Sequence, residues 1–303
     1  MKHQIAVLSD PHLSREYPFF LHNWNALVAK IREMAPELVI VNGDLALGEP
    51  DRKDDLVFAQ ECIEALDLPV VVLPGNHDIG EGDGLGQQKG VTSQRLAQYN
   101  ELFGPDHWIK DVGEWTLIGI NSQILGTGLS EEAEHRRFIE TALADYRDRH
   151  LAIVSHKPLY DGAQGTAVPG RGIEEDASNW LSQIFTDAGV RFILAGHMHR
   201  FKNYMAGNIE CIWGPSTAFY STHPSHDARG GEIAVGMLIL ELEEGNYAFE
   251  FADDPRMINH DIRNWAVPGQ NSIWNILTEP SAIQVAEPPL DKPLLKKNIL
   301  IVY

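Results

Sequence analysis

Short apolar runs rich in β-branched residues recur along this chain, and each is followed closely by polar residues. Runs of this length without alternation are typical of strands buried on both faces of a parallel sheet. The runs and their motifs are 5–8 before Asp10-Pro11-His12, 38–41 before Gly43-Asp44, 70–73 before Gly75-Asn76-His77-Asp78, 151–154 before His156, and 192–195 before Gly196-His197-Met198-His199. Because open α/β sheets bind ligands at the carboxyl ends of their strands, the pattern predicts one site assembled from all five motifs.

Seven side chains in these motifs can bind a metal ion, and none of them is a thiolate. They are Asp10, His12, Asp44, Asn76, His156, His197 and His199. Such ligands suit Mn, Fe, Co or Zn, and an aspartate can bridge two of these ions. Each motif is common by itself, but the five in this order predict a site for two divalent ions. The glycines at 43, 75 and 196 are expected to let the backbone turn sharply beside it.

In this order the motifs resemble those of the calcineurin-like metallophosphoesterase family, whose pattern is Asp-x-His, Gly-Asp, Gly-Asn-His-Asp/Glu, His and Gly-His-x-His. The resemblance covers residues 4–252. The Asp-ended motif at 75–78, the His-Lys-Pro turn at 156–158 and the short separations are most similar to class III cyclic-nucleotide phosphodiesterases and glycerophosphodiesterases. Protein serine/threonine phosphatases carry Gly-Asp-x-Val-Asp-Arg-Gly, whereas residues 43–48 read Gly-Asp-Leu-Ala-Leu-Gly, so that branch is disfavoured.

The resemblance implies an α/β fold, a four-layer α/β/β/α sandwich of two mixed sheets flanked by helices. Residues 1–254 are expected to form the catalytic domain. Residues 255–303 are expected to form a C-terminal extension, because their apolar end is unlike a disordered tail. Docking of this extension on the core and docking on a second subunit remain equal alternatives, and the second would make a homo-oligomer.

Periodicity predicts several elements around the motifs. Apolar residues at three- and four-residue steps predict helices over 21–34 and 180–188, and the acidic turn after Ser130 predicts a helix running towards Arg149. Beyond His199, antiparallel strands are expected at 209–213, 233–242 and 247–251, with a hairpin turn at 244–246.

Carried over residue by residue, the family pattern implies a role for each motif. The first ion would be held by Asp10, His12, Asp44 and His199, and the second by Asp44, Asn76, His156 and His197, with Asp44 as the bridge. His77 resembles the family histidine that stabilises developing charge or protonates the leaving alkoxide, and Asp78 is expected to fix its tautomer. The simpler alternative is that His77 only caps a loop.

Four residues in loops near the motifs are candidates for substrate contact: His223, His226, Arg171 and Tyr160. The two histidines follow the strand after the Gly196 motif and can overhang the metal ions. Arg171 can bind a phosphate oxygen, although a solvated loop arginine is the simpler interpretation. Tyr160 lies in the same loop region after His156.

Composition excludes several function classes. A formal net charge of −19 argues against a broad nucleic-acid surface, while two divalent ions would reverse the field locally. The sequence shows neither an apolar signal segment nor a membrane span, so a cytoplasmic protein without a membrane partner is expected. Cys62 and Cys211 lack a CxxC partner and are expected to stay reduced.

The resemblance therefore implies hydrolysis of a small phosphodiester, such as a cyclic nucleotide or a glycerophosphodiester, by metal-activated hydroxide. The alternatives within the superfamily are a phosphomonoesterase, a phosphonate monoesterase, a nucleotide-lipid pyrophosphatase and a nuclease. Acidic charge weighs against the nuclease, and the lack of a basic amphipathic helix weighs against the lipid enzyme. A non-catalytic interaction module is the alternative from a different class, but the intact ligand set favours catalysis.

Overall fold

The computed structural model describes residues 1–48, 50–82, 90–160, 172–222 and 229–265. The strands in these ranges are β1 (His3–Leu8), β2 (Leu38–Asn42), β3 (Val70–Leu73), β4 (Trp108–Val112), β5 (Trp115–Ile120), β6 (His150–Ser155), β7 (Phe192–Ala195), β8 (Lys202–Ala206), β9 (Ile209–Trp213), β10 (Met237–Glu243) and β11 (Asn246–Ala252). The helices are α1 (Leu21–Met34), α2 (Lys53–Glu64), α3 (Asn76–Ile79), α4 (Ser93–Phe103), α5 (Ser130–Asp145), α6 (Glu175–Asp187) and the 3₁₀ turn η1 (Ile262–Trp265).

Two mixed sheets form the centre of the fold. The first has the strand order β11-β10-β1-β2-β3, in which β1, β2 and β3 run parallel and β10 runs antiparallel to both of its neighbours. The second has the order β4-β5-β6-β7-β9-β8, in which β5, β6, β7 and β9 run parallel between two antiparallel edge strands. The parallel strands that precede the motifs are therefore central or next to central in their sheets, apart from the edge strand β3.

Alternation along each strand assigns its side chains to two apolar layers. Ile5 and Val7 of β1 belong to a buried cluster shared with Leu117 of β5 and Val154 of β6, so this cluster fills the space between the two sheets. Residues of opposite parity, such as Leu8, pack with the helices. The predicted class, two mixed sheets flanked by helices, is confirmed.

Most of the predicted elements are observed, with shifts at their ends. Helix α1 has the predicted bounds, and the hairpin turn between β10 and β11 lies at 244–245. Helix α5 starts at Ser130 and runs towards Arg149 as predicted, and it ends at Asp145. The prediction for residues 209–213 was incomplete, because β9 is antiparallel to β8 but also pairs in parallel with β7.

Residues 253–265 follow β11 and contact α1. The side chain of Asn23 bonds to the backbone of Ile258, and Lys30 donates to the carbonyl of Asp253. Residues 266–303 lie outside the described residues, so the docking predicted for the whole extension 255–303 stays a prediction.

Two smaller expectations concern the thiols and the membrane. Cys62 and Cys211 form no disulfide, and burial raises the pKa of both thiols, to about 11 and about 12. None of the helices in the described ranges has the length and apolar character needed to cross a bilayer.

Candidate metal centre

The loops that follow β1, β2, β6 and β7 bring six of the seven predicted ligands into two groups. In the first group, one ligand atom each of Asp10, His12, Asp44 and His199 lies within 4.8 Å of the others. In the second group, Asp44, His156 and His197 are arranged in the same way. Asp44 belongs to both groups, which is the position that a bridging carboxylate requires.

Imidazole Nε2 atoms and carboxylate oxygens converge at the centre of these groups. Asp44 Oδ2 lies 3.4 Å from His156 Nε2 and 3.8 Å from His12 Nε2. Asp10 Oδ1 lies 3.1 Å from His199 Nε2. The side chains of Asp10, His12 and His156 are fully buried, so bulk water does not reach these three ligands.

Asn76, the seventh predicted ligand, begins α3 beside Asp44. The residues on either side of it contact that aspartate, since the N–H of His77 donates to Asp44 Oδ1 at 2.9 Å and Gly75 approaches the Asp44 backbone. Asn76 Oδ1, Asp10 Oδ1 and His156 Nε2 are all buried without a hydrogen-bond partner in the described part of the chain. Orphaned buried polar atoms cost free energy unless something binds them, so this donor set fits divalent cations.

Backbone carbonyls orient two of the histidines. Nδ1 of His156 donates to the carbonyl of Asn42, and Nδ1 of His199 donates to the carbonyl of Phe219, each at 2.8 Å. A neutral imidazole that donates from Nδ1 has its lone pair on Nε2. Both rings therefore present a metal-binding nitrogen to the centre.

Most of the proposed ligands have backbone conformations that residues other than glycine rarely adopt. Five of them have positive φ angles: Asp10 (52°), His12 (45°), Asp44 (50°), His197 (64°) and His199 (51°). Such residues each cost roughly 1 to 3 kcal/mol and persist where the surrounding structure fixes them, often at functional sites. Backbone strain therefore marks the loops after β1, β2 and β7 as parts of a functional site.

The motif glycines are needed mainly for close approach. A Cβ atom at Gly75 would lie 2.1 Å from the Asp44 nitrogen, and one at Gly196 would lie 2.0 Å from Ser9 Oγ. Gly43 has a positive φ of 77°, and its Cβ would also collide with His156 Nδ1 at 2.3 Å. The expectation of a sharp turn at all three was therefore incomplete, since only Gly43 has a conformation that requires glycine.

The structure corrects the partner predicted for His77. Its Nδ1 lies 3.1 Å from the carbonyl oxygen of Leu47 and 3.2 Å from that of Gly48, so these carbonyls fix the tautomer. Asp78 is turned away because its oxygens accept three backbone N–H groups, from Gly75, Leu45 and Ala46. Asp78 therefore ties the loop after β3 to the loop after β2.

Burial and neighbouring charges shift the pKa values of three groups in and beside the centre. Burial alone would lower the pKa of His156, but the carboxylates of Asp44 and Asp10 raise it to about 9. Burial opposes ionisation of Asp44 as well, yet His156 and His77 hold the pKa of that carboxyl well below its usual range. Burial, together with the charge of Asp44, raises the pKa of Asp78 to about 7. A proton on His156 would compete with a cation for the same nitrogen.

Of the four predicted substrate contacts, Tyr160 alone is described. Its ring belongs to the larger apolar cluster, its hydroxyl donates to Ser182 Oγ at 2.6 Å, and its carbonyl accepts from the Tyr204 hydroxyl. Its contact with a substrate stays a prediction. His223, His226 and Arg171 lie outside the described residues.

A third group of possible metal ligands, Asp106, His107 and His135, was not foreseen from the sequence. Here the N–H of Asn121 donates to His135 Nε2 at 3.0 Å, so the lone pair that a cation would need is in use. Asp106 accepts from His107 Nδ1 at 2.8 Å and from Asn121 Nδ2 at 2.6 Å. We interpret the group as a hydrogen-bonded network that joins α5 to the loops beside β4 and β5.

Sequence reasoning missed two residues that support the ligands. Ser9 Oγ donates to Asp10 Oδ2, and the carbonyl of Asn42 accepts from both Ser9 Oγ and His156 Nδ1. Each is a polar residue at the end of a buried apolar run and next to a motif, which is the signal that could have found it. The carbonyl of Phe219 has no such signal, because any residue can supply it.

Comparisons with known proteins give the following matches. Residues 3–201 match the model of the calcineurin-like phosphoesterase family. The chain is 26% identical over 188 residues to the serine/threonine-protein phosphatase CPPED1 of Bos taurus, a match that spans 58% of each protein. It is 24% identical over 201 residues to a probable glycerophosphodiester phosphodiesterase, GpdQ, of Arcobacter nitrofigilis, covering 63% of this chain and 64% of that protein. A dimetal phosphatase from Danio rerio has the same fold, with a TM-score of 0.57 at 12% identity over 84% of this chain and 96% of that one.

Proposed function

This chain belongs to the calcineurin-like phosphoesterase family, and we propose that it hydrolyses a small phosphodiester, such as a cyclic nucleotide or a glycerophosphodiester, in a metal-dependent reaction. The observation that carries the proposal is the sharing of Asp44 between two groups of ligands whose orphaned atoms converge. The first cation would be held by Asp10, His12, Asp44 and His199, and the second by Asp44, Asn76, His156 and His197. When bound, two such cations supply Lewis acidity and lower the pKa of a bound water towards about 7.

The chain itself would contribute proton transfer through His77. Its Nδ1–H is held by the carbonyls of Leu47 and Gly48, so Nε2 is the nitrogen that exchanges a proton. The ring packs edge-on against His12 with the ring centroids 4.8 Å apart, which places it at the border of the first group. A protonated His77 would donate to the leaving alkoxide, and its charge would stabilise the charge that develops there.

Charge around the centre favours a diester over a monoester. Asp10 and Asp44 are the carboxylates among the proposed ligands, so two divalent cations together with the attacking hydroxide would leave a single formal positive charge, which a monoanionic substrate neutralises. A dianionic monoester needs further cationic groups. Arg52, which lies beside Gly48 in the loop after the Gly43-Asp44 motif, is already held by Glu16 at 2.6 Å and by Asp55 at 2.9 Å.

A phosphomonoester is the second candidate, including a phosphoserine or phosphothreonine side chain. It is supported by the match to CPPED1, which is named as a serine/threonine-protein phosphatase. This relative and the diesterase are similarly distant from the chain, so identity does not choose between them.

A matched pair of substrates tests the proposal. Metal-reconstituted protein is assayed with bis(p-nitrophenyl) phosphate and p-nitrophenyl phosphate, then with cyclic nucleotides, glycerophosphodiesters, a phosphonate monoester and a phosphoserine peptide. We expect kcat/KM for the diesters to exceed that for the monoesters, and Asp44→Asn to abolish both activities. Higher kcat/KM for the phosphoserine peptide than for any diester would replace the proposal by the second candidate, and wild-type inactivity on all substrates would refute both.

A further inference from the structure

Phe219 contacts both histidines of the first ligand group. Its carbonyl accepts the Nδ1–H of His199 at 2.8 Å, and its ring centroid lies 4.4 Å from that of His199 and 4.9 Å from that of His12. The position of this one residue therefore sets the direction in which His199 Nε2 points.

Phe219 lies between two anchored neighbours. The carbonyl of Ala218 accepts a hydrogen bond from Asn23 Nδ2 at 3.1 Å. The N–H of Tyr220 donates to the carbonyl of His260, and the carbonyl of Tyr220 accepts from the N–H of Ile262, each at 3.0 Å. The backbone on both sides of Phe219 is thus fixed by Asn23 and by residues 258–262.

Asn23 joins these two supports. Its side chain is fully buried on α1, where Nδ2 also donates to the carbonyl of Ile258 at 2.9 Å and Oδ1 accepts from the N–H of Ile258 at 2.8 Å. One amide therefore satisfies three backbone groups from two separate segments. A buried amide with this geometry fixes the distance between the segments that it links.

Two further contacts hold the same segments together. Asp261 Oδ2 accepts from Thr222 Oγ1 at 2.6 Å, and Asp261 Oδ1 accepts from the N–H of Thr222 at 3.2 Å. Ile262 is buried in a small apolar cluster that includes Phe20, Ala218 and Phe219. Residues 258–262 therefore act as a clamp on residues 218–222. We call residues 218–222 the His199 support.

We propose that Asn23 and the clamp 258–262 are positioning elements for His199, and that they determine how tightly the first ligand group holds its cation. The inference rests on the proposed two-metal function. Groups that orient a metal-binding histidine commonly change metal affinity or activity by about 10- to 100-fold when they are removed. A clamp that served only stability would lower the melting temperature and leave the affinity of the folded protein unchanged.

The primary test is a calorimetric titration of metal-free, full-length protein with Mn²⁺, comparing wild type with Asn23→Ala. The first ligand group contributes two carboxylates, Asp10 and Asp44, and the second contributes only the shared Asp44, so the tighter of two binding steps is assigned to the first group. We expect this step to weaken by about 10-fold or more in the variant, because His199 loses its fixed direction. The second step should change less, since His156 is oriented by the carbonyl of Asn42 and the N–H of His197 donates to Asp10. Co²⁺ absorption provides an independent readout of changed geometry in the first group.

Two comparisons separate positioning from general destabilisation. Gln60→Ala serves as the matched control, because Gln60 Nε2 also donates to a backbone carbonyl of another segment, that of Leu102 at 2.8 Å, and contacts no proposed ligand. Should Asn23→Ala fail to fold, Asp261→Ala and Thr222→Val loosen the same support at half-buried positions, and Asp261→Asn should restore affinity by keeping an acceptor for Thr222.

The outcomes distinguish this inference from the proposed function. Wild-type protein that binds fewer than two cations would refute the two-metal function itself. Two wild-type binding steps together with unchanged affinities in Asn23→Ala, or in the Asp261 and Thr222 variants where these are the folded ones, would refute the positioning role alone. An equal loss of affinity in Gln60→Ala would also refute it.

Discussion

Neutral backbone carbonyls orient three histidines in and beside this centre. His156 donates to the carbonyl of Asn42, His199 to that of Phe219, and His77 to those of Leu47 and Gly48. Each acceptor fixes a tautomer without adding a negative charge, whereas a carboxylate in the same place would offset part of the cations' charge. The two carboxylates of Asp10 and Asp44 can then serve as ligands, and the remaining positive charge is available to an anionic substrate.

Replacement of His77 tests its proposed role in proton transfer. We expect His77→Ala to keep both cations, since the ring is in neither ligand group, and to lower kcat by about 100-fold on substrates with alkoxide leaving groups. On bis(p-nitrophenyl) phosphate, whose leaving group needs no proton, the loss should be much smaller. Steady-state kinetics with both substrates, on protein of verified metal content, measures the difference. An equal loss on both would contradict general acid catalysis.

The loop after β3 passes the loop after β2 at direct contact. Gly75 lies against the Asp44 backbone, while Asp78 accepts the N–H groups of Leu45 and Ala46 from the same loop. These contacts hold Asn76 beside the proposed bridging carboxylate. The relative position of two elements, and not one side chain, therefore sets the geometry of the second ligand group.

A single methyl group should separate these loops. In Gly75→Ala the new Cβ would meet the Asp44 nitrogen at 2.1 Å, so the loops must move apart. Displacement of reacting groups by about 1 Å commonly costs about 100-fold in rate, so we expect a loss of that order in kcat/KM, with weaker metal binding. Gly214→Ala is the control, because its nearest neighbour would be the Ala195 carbonyl oxygen at 3.5 Å. Similar kinetics in the two variants would contradict the explanation.

The sequence predicted those elements whose pattern is local. Apolar runs mark the parallel strands because both of their faces are buried, and the spacing of α1 is complete within 21–34. The acidic turn after Ser130 marks the start of α5, but no comparable local signal marks its end at Asp145. Beyond that end, Arg149 donates to the carbonyls of Gly113 and Trp115 in the β4–β5 hairpin, and no local signal in the sequence encodes that contact.

In the candidate site too, features set by a local pattern were predicted and features set by distant contacts were not. The ligands of each sheet follow from parallel strand ends that share one edge, with Asp10 and Asp44 on the first sheet and His156 and His199 on the second. That the two edges meet depends on the packing of the sheets, which no local pattern encodes. The partner of His77 was predicted wrongly, because neighbouring residues in sequence suggested Asp78 while the fold brings the carbonyl of Leu47 to the ring. The support of His199 depends on Asn23 and Ile258, which are 235 positions apart, and no spacing rule connects them.

The whole molecule carries a formal net charge of −19, yet its centre holds an imidazole, that of His156, whose charged form is favoured by its surroundings. Without cations, the carboxylates of Asp44 and Asp10 keep a proton on His156 and raise its pKa to about 9. That proton partly neutralises the buried carboxylates, so it stabilises the metal-free fold. Cations would replace it, and metal binding near neutral pH should release protons.

The stability of the metal-free protein should therefore depend on pH in a way that the metal-loaded protein does not share. The folded pKa of His156 is raised from 6.5 to about 9, so its contribution is fully present below pH 6.5 and is lost as the pH rises through 9. We expect the melting temperature of metal-free protein to fall between pH 7 and 9 and that of Mn²⁺-loaded protein to change much less over the same range. His156→Gln, measured without metal, should lose most of this dependence because it has no proton to release. A metal-free wild type whose melting temperature is constant or rises across that range would show that His156 does not carry the proton.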